Sequence, residues 1–442
     1  MKKSFWYFVA CLVLLVAGAS WWFLTTAGER EKPAISAGED SAVIGLRKTL
    51  TIAFSDQGTG LSQTEITITQ DNRPRIISSL AYPEKDIRQK TVSVTVDAAE
   101  LKLKDGPAAL TLTAVDHSLW KNRHSVTLPV TIDLLPPQIS QLNPISHINP
   151  GGSCIVAYRL SEPAVQTGVQ AGDIFYPGHP VTLSGKSSYV AFFALPLEAV
   201  KGAPQLRIMA RDRAGNETVS AVPALILKRK FRSDKMQLSE NFLGQKMPEF
   251  QAAAPALRGK TPLETFIHVN TVMREDNAAA IRDACRQSEP RQLWEGAFGR
   301  MKNAAPMALY GDRRTYLYEG KEVGESVHTG VDLASLAKAP IEAANSGIVR
   351  FAGPLGIYGN TVIIDHGQGL ATLYAHLSAA NVNPGRTVNK GDIIGTSGET
   401  GLAGGDHLHF SVLINGRFVD PREWWDPHWI ADNVTKKMDT SF

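Results

Sequence analysis

Five residues between positions 328 and 409 carry the chemistry that this chain is equipped to do. They are His328 and Asp332 in HTGVD, His376 in YAHLS, and His407 and His409 in DHLHF. Six of the chain's 11 histidines fall between 328 and 428, less than a quarter of the length. Histidine is the commonest metal ligand and the usual proton carrier near neutral pH. In a strand, residues i and i+2 share a face. His407 and His409 therefore aim both imidazoles at one cleft while Leu408 faces the core. His328 and Asp332 are four apart, a same-face spacing in strand or helix, and Gly330 between them favours strand and turn. A catalytic zinc needs three protein ligands and one open position for water. Neither His-x-His nor His-x-x-x-Asp says much alone, because a buried hydrogen-bonded pair has the same spacing. Together in one β region, with a third histidine-bearing strand, they point to a metal centre. Its ligands are nitrogen and oxygen, since the three cysteines (Cys11, Cys154 and Cys285) lie elsewhere and form no Cys-x-x-Cys.

The elements that position these residues read as short strands. Gly347–Phe351, Asn360–Ile364, Leu370–Tyr374, Gly391–Gly395 and His407–Ile414 alternate or run apolar, with glycine between them. This predicts a compact antiparallel β domain over 307–422, followed by a tail, 423–442, whose Trp424, Trp425 and Trp429 cover one face. Upstream, 229–306 is a partly helical connector. Thr261-Pro262-Leu263-Glu264 reads as a capping box with proline at the first helical position. Phe266, Val269, Val272 and Met273 follow at helical spacing, and Ala278–Cys285 extends the helix. Lys228-Arg229-Lys230 reads as a solvated boundary.

The front of the chain is β again. Leu50–Phe54, Thr64–Ile68, Val92–Val96 and Leu110–Ala114 alternate at period two between polar turns. Leu110, Leu112, Ala114 and Asp116 match Leu206, Ile208, Ala210 and Asp212 at a constant offset of 96, and Asn122 then matches Asn216. Pro136-Pro137 separates the copies, so the boundaries are 41–135 and 136–228. Cys154 and Cys285 then fall in different domains and are not expected to be bridged. Residues 25–40 read as a linker. Before it, Lys2 and Lys3 precede the uncharged run Phe5–Leu24. Twenty helical residues span about 30 Å, the thickness of a bilayer's hydrocarbon core. Residues 1–24 are therefore expected to be a signal anchor, with the N-terminus inside and the body exported. Ala17-Gly18-Ala19 offers a cleavage site, but the apolar run continues past it to Leu24. A net charge of +3, without a zinc finger or basic-aromatic run, gives no case for nucleic acid.

HTGVDLA, YGNTVIIDHG, TLYAHLS, VNKGDIIGTSGETG and GGDHLHF, in that order, resemble the lysostaphin/LytM-type zinc metalloendopeptidases of bacterial cell walls. The resemblance covers about 307–422. It implies one zinc held by His328, Asp332 and His409, with His376 and His407 acting on water and the tetrahedral intermediate. It also implies that the substrate is a peptidoglycan stem peptide. The stretch Ala210–Thr218 resembles the end of a bacterial immunoglobulin-like domain, so the two front domains are expected to be Ig-like sandwiches that reach or dock envelope partners. The expected architecture is mainly β: a membrane helix in the inner membrane, two Ig-like sandwiches, a short helical segment and the antiparallel peptidase domain outside the cytoplasm. The rival is a non-catalytic scaffold or activator of a cell-wall amidase. Non-catalytic relatives typically lose some of the five residues, and this chain keeps all five. Among other polar residues, His366 is expected to be structural. His117, His124, His147, His179, His268 and His428 are expected at the surface. Asp365 is a turn residue, Asp406 caps a turn or orients His407, and Asn360 and Arg314 are candidates to touch substrate.

Overall fold

A single helix, Lys2–Trp22, opens the computed structural model, which describes residues 2–23, 29–38, 42–143, 145–200 and 204–439. Leu24, residues 25–28 and 39–41, and the last three residues of the tail lie outside them. Phe5–Trp22 is long and apolar enough to cross a membrane, and most of its side chains are exposed. The rest divides into two compact units: Met1–Pro137 with Arg211–Glu217, and Gln138–Ala210 with Thr218–Phe442. The chain is mainly β, as its alternation predicts.

In the first unit, Ala34–Ala37, Arg47–Ser55 and Gln89–Asp97 form one antiparallel sheet. Val43–Ile44, Arg123–Ile132, Gly106–Asp116, Leu61–Gln70 and Arg73–Ala81 form the other, in that spatial order. Their alternate residues meet in one core that includes Leu50, Ile52, Phe54, Ile66, Ile68, Leu110 and Leu112. Ala34–Ala37 falls within the stretch expected to be linker; four residues are too few to show a period. The repeat noticed in sequence has a physical basis. Asp116 accepts from the Asn122 backbone at 2.8 Å and from its side-chain amide at 2.7 Å. Asp212 accepts the same two bonds from Asn216, at 2.9 and 3.0 Å. In both, the Asp–Asn pair locks the turn after the alternating strand. His117 and His124 are tied to the Tyr82 and Pro33 carbonyls at 2.7 and 2.6 Å, and are only partly exposed.

In the second unit, two four-stranded sheets precede the helical segment. One runs His179–Leu183, Lys186–Ala194, Ser153–Leu160, Ile139–Gln141, and the other Ile174–Pro177, Gln166–Ala171, Leu206–Arg211, Glu217–Ala221. Thr261 caps the helix Pro262–His268 as a reciprocal capping box with Glu264, as its sequence predicts. A π-helical turn, Val269–Met273, then shifts the phase of the helix. Phe266 and Val269 are buried but Val272 is exposed, against the simple 3.6-residue pattern. The helix resumes over Arg274–Ala284. The C-terminal sheet has the spatial order Ala305–Ala308, Val331–Ala334, Leu408–Ile414, Leu370–Leu377, Asn360–Gly367, Gly347–Pro354, Thr387–Val388, all antiparallel. Cys154 and Cys285 are free and buried.

The tail, 423–442 in sequence, does more than cover a face. Trp424 is fully buried, and its indole N–H donates to Ser153 Oγ at 2.9 Å. Its rings meet Trp294, Phe298 and Phe192 at centroid distances of 5.5, 5.4 and 6.0 Å. One apolar core therefore runs from the strands of 153–194 into the C-terminal sheet. Arg229 is not a solvated boundary charge: it pairs with buried Asp420 at 2.6 Å. Beside it, Glu423 accepts from the Ser153 backbone at 2.7 Å, close above Gly152, where a Cβ would lie 2.4 Å from the carboxylate.

Burial pushes the Glu423 carboxyl up to about 7, against the Ser153 hydrogen bond. Asp420 adds to the rise and Arg229 opposes it. The unfolded chain ionises this group near 4.5 and the folded chain near 7. Its protonated form therefore favours folding below 4.5, and that contribution is lost as pH rises to 7. Glu423→Gln should gain stability relative to the parent across this window, by up to about 3 kcal/mol. Melting temperatures at pH 4 and pH 8 check it; an unchanged difference between the two proteins would contradict the buried neutral acid.

Candidate metal centre

Three strands and one loop bring the site together. Asp332 on Val331–Ala334 pairs directly with His409 on Leu408–Ile414, so their side chains share a face. His328 lies just before Val331–Ala334, and its backbone is pinned to the Gly311–Asp312 turn. His328 Nε2 is 2.9 Å from Asp332 Oδ1 and 3.1 Å from His409 Nδ1, and His409 Nδ1 is 2.8 Å from Asp332 Oδ1. All three residues are buried.

The outer hydrogen bonds set the tautomers. His328 Nδ1 donates to the Leu309 carbonyl at 3.0 Å, which leaves Nε2 a lone pair facing inward. Ser411 Oγ donates to the Thr329 carbonyl at 3.1 Å and so accepts from His409 Nε2 at 3.0 Å. The inward atom of His409, Nδ1, is then also a lone pair. Burial pushes the His409 imidazole down to about 4, with only partial relief from Asp332, so it is neutral at neutral pH. Burial raises the Asp332 carboxyl, but the two imidazoles outweigh it and hold it well below the usual range. The result is two imidazole nitrogens and a carboxylate oxygen converging within 3.1 Å, with the outer nitrogen of each ring already bonded. Metal sites hold their ligands in this way. Two imidazole nitrogens and a carboxylate oxygen fit zinc.

His376 reaches the same cleft through a break in its strand. Ala375 pairs with His409 and shares its face. Strict alternation would put His376 on the opposite face, with Tyr374 in the core. The register against Asn360–Gly367 shifts here, so that Ala375 and His376 oppose the single residue Thr361. His376 takes a left-handed φ of 61° at this bulge. Its ring then lies 4.8 Å from that of His407 and 5.8 Å from that of His409. His376 Nδ1 donates to the Thr400 carbonyl at 2.8 Å, and His407 Nδ1 donates to the Gly405 carbonyl at 2.8 Å. Both present Nε2 as an acceptor; that of His407 is 3.7 Å from Asp332 Oδ1. Burial, reinforced by the neighbouring histidines, pushes His376 down to about 3, so it rests neutral.

The remaining expectations divide. His366 is structural: fully buried, it bonds Ser346 and Thr372 at 2.7 Å each. Asp406 accepts from Ser397 and from the Lys338 backbone, which is the turn role, and does not orient His407. Asp365 is more than a turn residue, since it anchors Ser288, Glu289 and Arg350. Asn360 does not line the cleft; its amide holds the Leu377 carbonyl at 3.1 Å. Arg314 does line it. His179 is half-buried, and its Nε2 has no hydrogen-bond partner, contrary to a surface position. Ser411 was legible in sequence but not read: it continues the 407–409 alternation on the same face. Arg274 and Tyr358 also line the cleft, and no local spacing links them to it.

Residues 326–421 match the model of peptidase family M23. Over 95 residues, 22% of either chain, the sequence is 45% identical to the DD-carboxypeptidase/endopeptidase Mpg of Neisseria meningitidis. It is 28% identical over 216 residues to the peptidoglycan DD-endopeptidase ShyA of Vibrio cholerae, covering 48% of this chain and 46% of that one. The solved catalytic domain of the antimicrobial peptidase lysostaphin from Staphylococcus simulans is 30% identical, with a TM-score of 0.25, and spans 30% of this chain and 98% of that one. The chain thus matches about a fifth to a half of the length of these curated relatives. Residues 326–421 form a peptidase M23 domain.

Gly330 tests the packing of the centre. A Cβ there would lie 2.5 Å from the Phe410 carbonyl and 2.6 Å from both His409 Nε2 and Ser411 Oγ. Gly330→Ala should cost roughly 1–3 kcal/mol of stability through overpacking. A thermal melt superimposable on the parent's would contradict so close an approach.

Proposed function

We propose that the chain is a zinc-dependent endopeptidase that hydrolyses the peptide cross-links of peptidoglycan. The observation that carries this reading is the meeting of two imidazole nitrogens and a carboxylate oxygen within 3.1 Å, each imidazole fixed by an outer hydrogen bond. His328, Asp332 and His409 would hold the metal. Zinc bound there would polarise a peptide carbonyl and acidify water. His376 and His407, with ring centroids 4.8 Å apart, offer Nε2 to the same cleft. They take up the proton of the attacking water and return it to the leaving amine, as general base and acid. Their Nδ1 bonds to the Thr400 and Gly405 carbonyls hold both rings in the productive tautomer. Peptidoglycan as substrate is supported by relatives that are peptidoglycan DD-endopeptidases. The helix Lys2–Trp22 would tether the chain to the inner membrane, with the catalytic domain on the extracytoplasmic side. The β domains ahead of it would meet wall or envelope partners.

Digestion of purified sacculi by the detergent-solubilised chain, read by mass spectrometry of the muropeptides, tests the proposal. New amino and carboxyl ends within cross-links are expected. His376→Ala and His407→Ala should each keep the fold and lower turnover by about 10²–10⁴-fold. Intact cross-links after treatment with folded, zinc-loaded protein would favour a non-catalytic activator instead.

A further inference from the structure

The two β copies differ at one turn. After Gly106–Asp116, the pair Asp116 and Asn122 encloses five residues, His117-Ser118-Leu119-Trp120-Lys121. After Leu206–Arg211, Asp212 and Asn216 enclose three, Arg213-Ala214-Gly215. The same two bonds lock both turns, so the lock needs neither the two extra residues nor an apolar tip. Leu119 and Trp120 form that tip and are 64% and 55% exposed. Turns favour small or polar residues, and exposed apolar side chains are ordinary only when scattered singly. The tip is also held in place. Asp116 Oδ1 accepts from the Ser118 backbone at 3.1 Å and from its hydroxyl at 2.7 Å. The exposed cations Arg30, Lys121 and Arg123 flank it, with Arg30 over the Trp120 ring at 5.6 Å.

Connectivity fixes which way this tip looks. The Asn122 amide donates to the Glu29 carbonyl at 3.0 Å, and the Thr59 backbone donates to the Glu29 carboxylate at 2.7 Å. The chain therefore enters the first unit beside Trp120. Leu61 pairs with Asp116 at this end, and Gly106 pairs with Ile132 at the other, so the chain leaves the unit from the opposite end. Trp22, at the end of the apolar helix, and Glu29 are seven residues apart. No conformation of the chain separates them by more than about 25 Å. Within that reach lies the membrane surface, where tryptophan rings prefer to sit and where Lys and Arg meet lipid phosphates. We infer that Leu119 and Trp120 insert into the interface of the membrane that the helix spans and hold the first unit end-on against it. This rests on the reading of Lys2–Trp22 as a membrane anchor. A helix alone leaves the body free to swing. A docked tip makes the chain leave the unit about one strand length, roughly 30 Å, out from the bilayer.

The test reconstitutes the full chain in vesicles of phosphatidylcholine and phosphatidylglycerol whose acyl chains carry bromine near the headgroup. A fluorophore is placed by Gln57→Cys, on an exposed turn at the tip's end of the unit, or by Asn72→Cys, at the far end of the strand Leu61–Gln70. Cys11→Ser removes the competing thiol, since Cys154 and Cys285 are buried. The Gln57 label should lose about half of its emission to the brominated lipid, and the Asn72 label almost none. Leu119→Ser combined with Trp120→Ser should lower the quenching at Gln57 at least about threefold. Its melt should match the parent's, because both side chains are exposed. Equal quenching at the two sites, or quenching at Gln57 that survives the double substitution, overturns the inference and leaves the anchor standing. A chain that washes off the vesicles overturns the anchor and the inference together. A response of the Gln57 label to soluble peptidoglycan fragments, lost in the double variant, overturns it in favour of a wall contact.

Discussion

Two imidazole nitrogens and a carboxylate oxygen are forced to face one another, within 3.1 Å, in a buried cleft. Arg314 approaches only the other oxygen of Asp332, at 3.6 Å. Each nitrogen is an acceptor because its partner nitrogen is already spent, on the Leu309 carbonyl for His328 and on Ser411 for His409. Convergent ligand sets of this kind persist in a fold only if the surroundings hold each member in place. The rest of the C-terminal sheet makes sense as that surrounding. Direct pairing of Asp332 with His409 sets one edge of the triangle, and the Gly311–Asp312 turn sets the position of His328.

The second constraint is the bulge at His376. A regular strand would have sent this imidazole into the core beside Tyr374. One extra residue, with a left-handed φ on a non-glycine, turns it into the cleft instead. Thr400 holds it there, and Thr400 is itself fixed by its bonds to Leu377 and Asn360. Thr400 therefore positions a ring in the cleft that it does not itself line. Trp424 and Glu423 extend the same logic outward, because they tie this sheet to the strands around Ser153.

Much of this was legible in the chain. Period-two alternation in DHLHF foretells that His407 and His409 share a face. The family resemblance picks out the five residues that the fold then gathers into one cleft. The capping box at Thr261 and the Asp–Asn repeat are local patterns with local causes. The misses have a different cause. Val272 was misplaced because a π-helical turn leaves no mark in composition. The bulge at His376 depends on register with a neighbouring strand, and Arg274 reaches the cleft from a helix more than 50 residues before His328. Arg229 and Asp365 looked like solvent and turn residues because their partners, Asp420 and Ser288, are remote in sequence. Short-range spacing reports which side chains share a face, and it is silent on what packs against that face.

Zinc-edge X-ray absorption of the purified chain, with metal content measured on the same sample, tests the central claim most directly. The account predicts about one zinc per chain, with two imidazoles in a nitrogen-and-oxygen shell free of sulfur, and loss of that metal in His409→Ala. A sulfur-containing shell, or full zinc retention in His409→Ala, would contradict it.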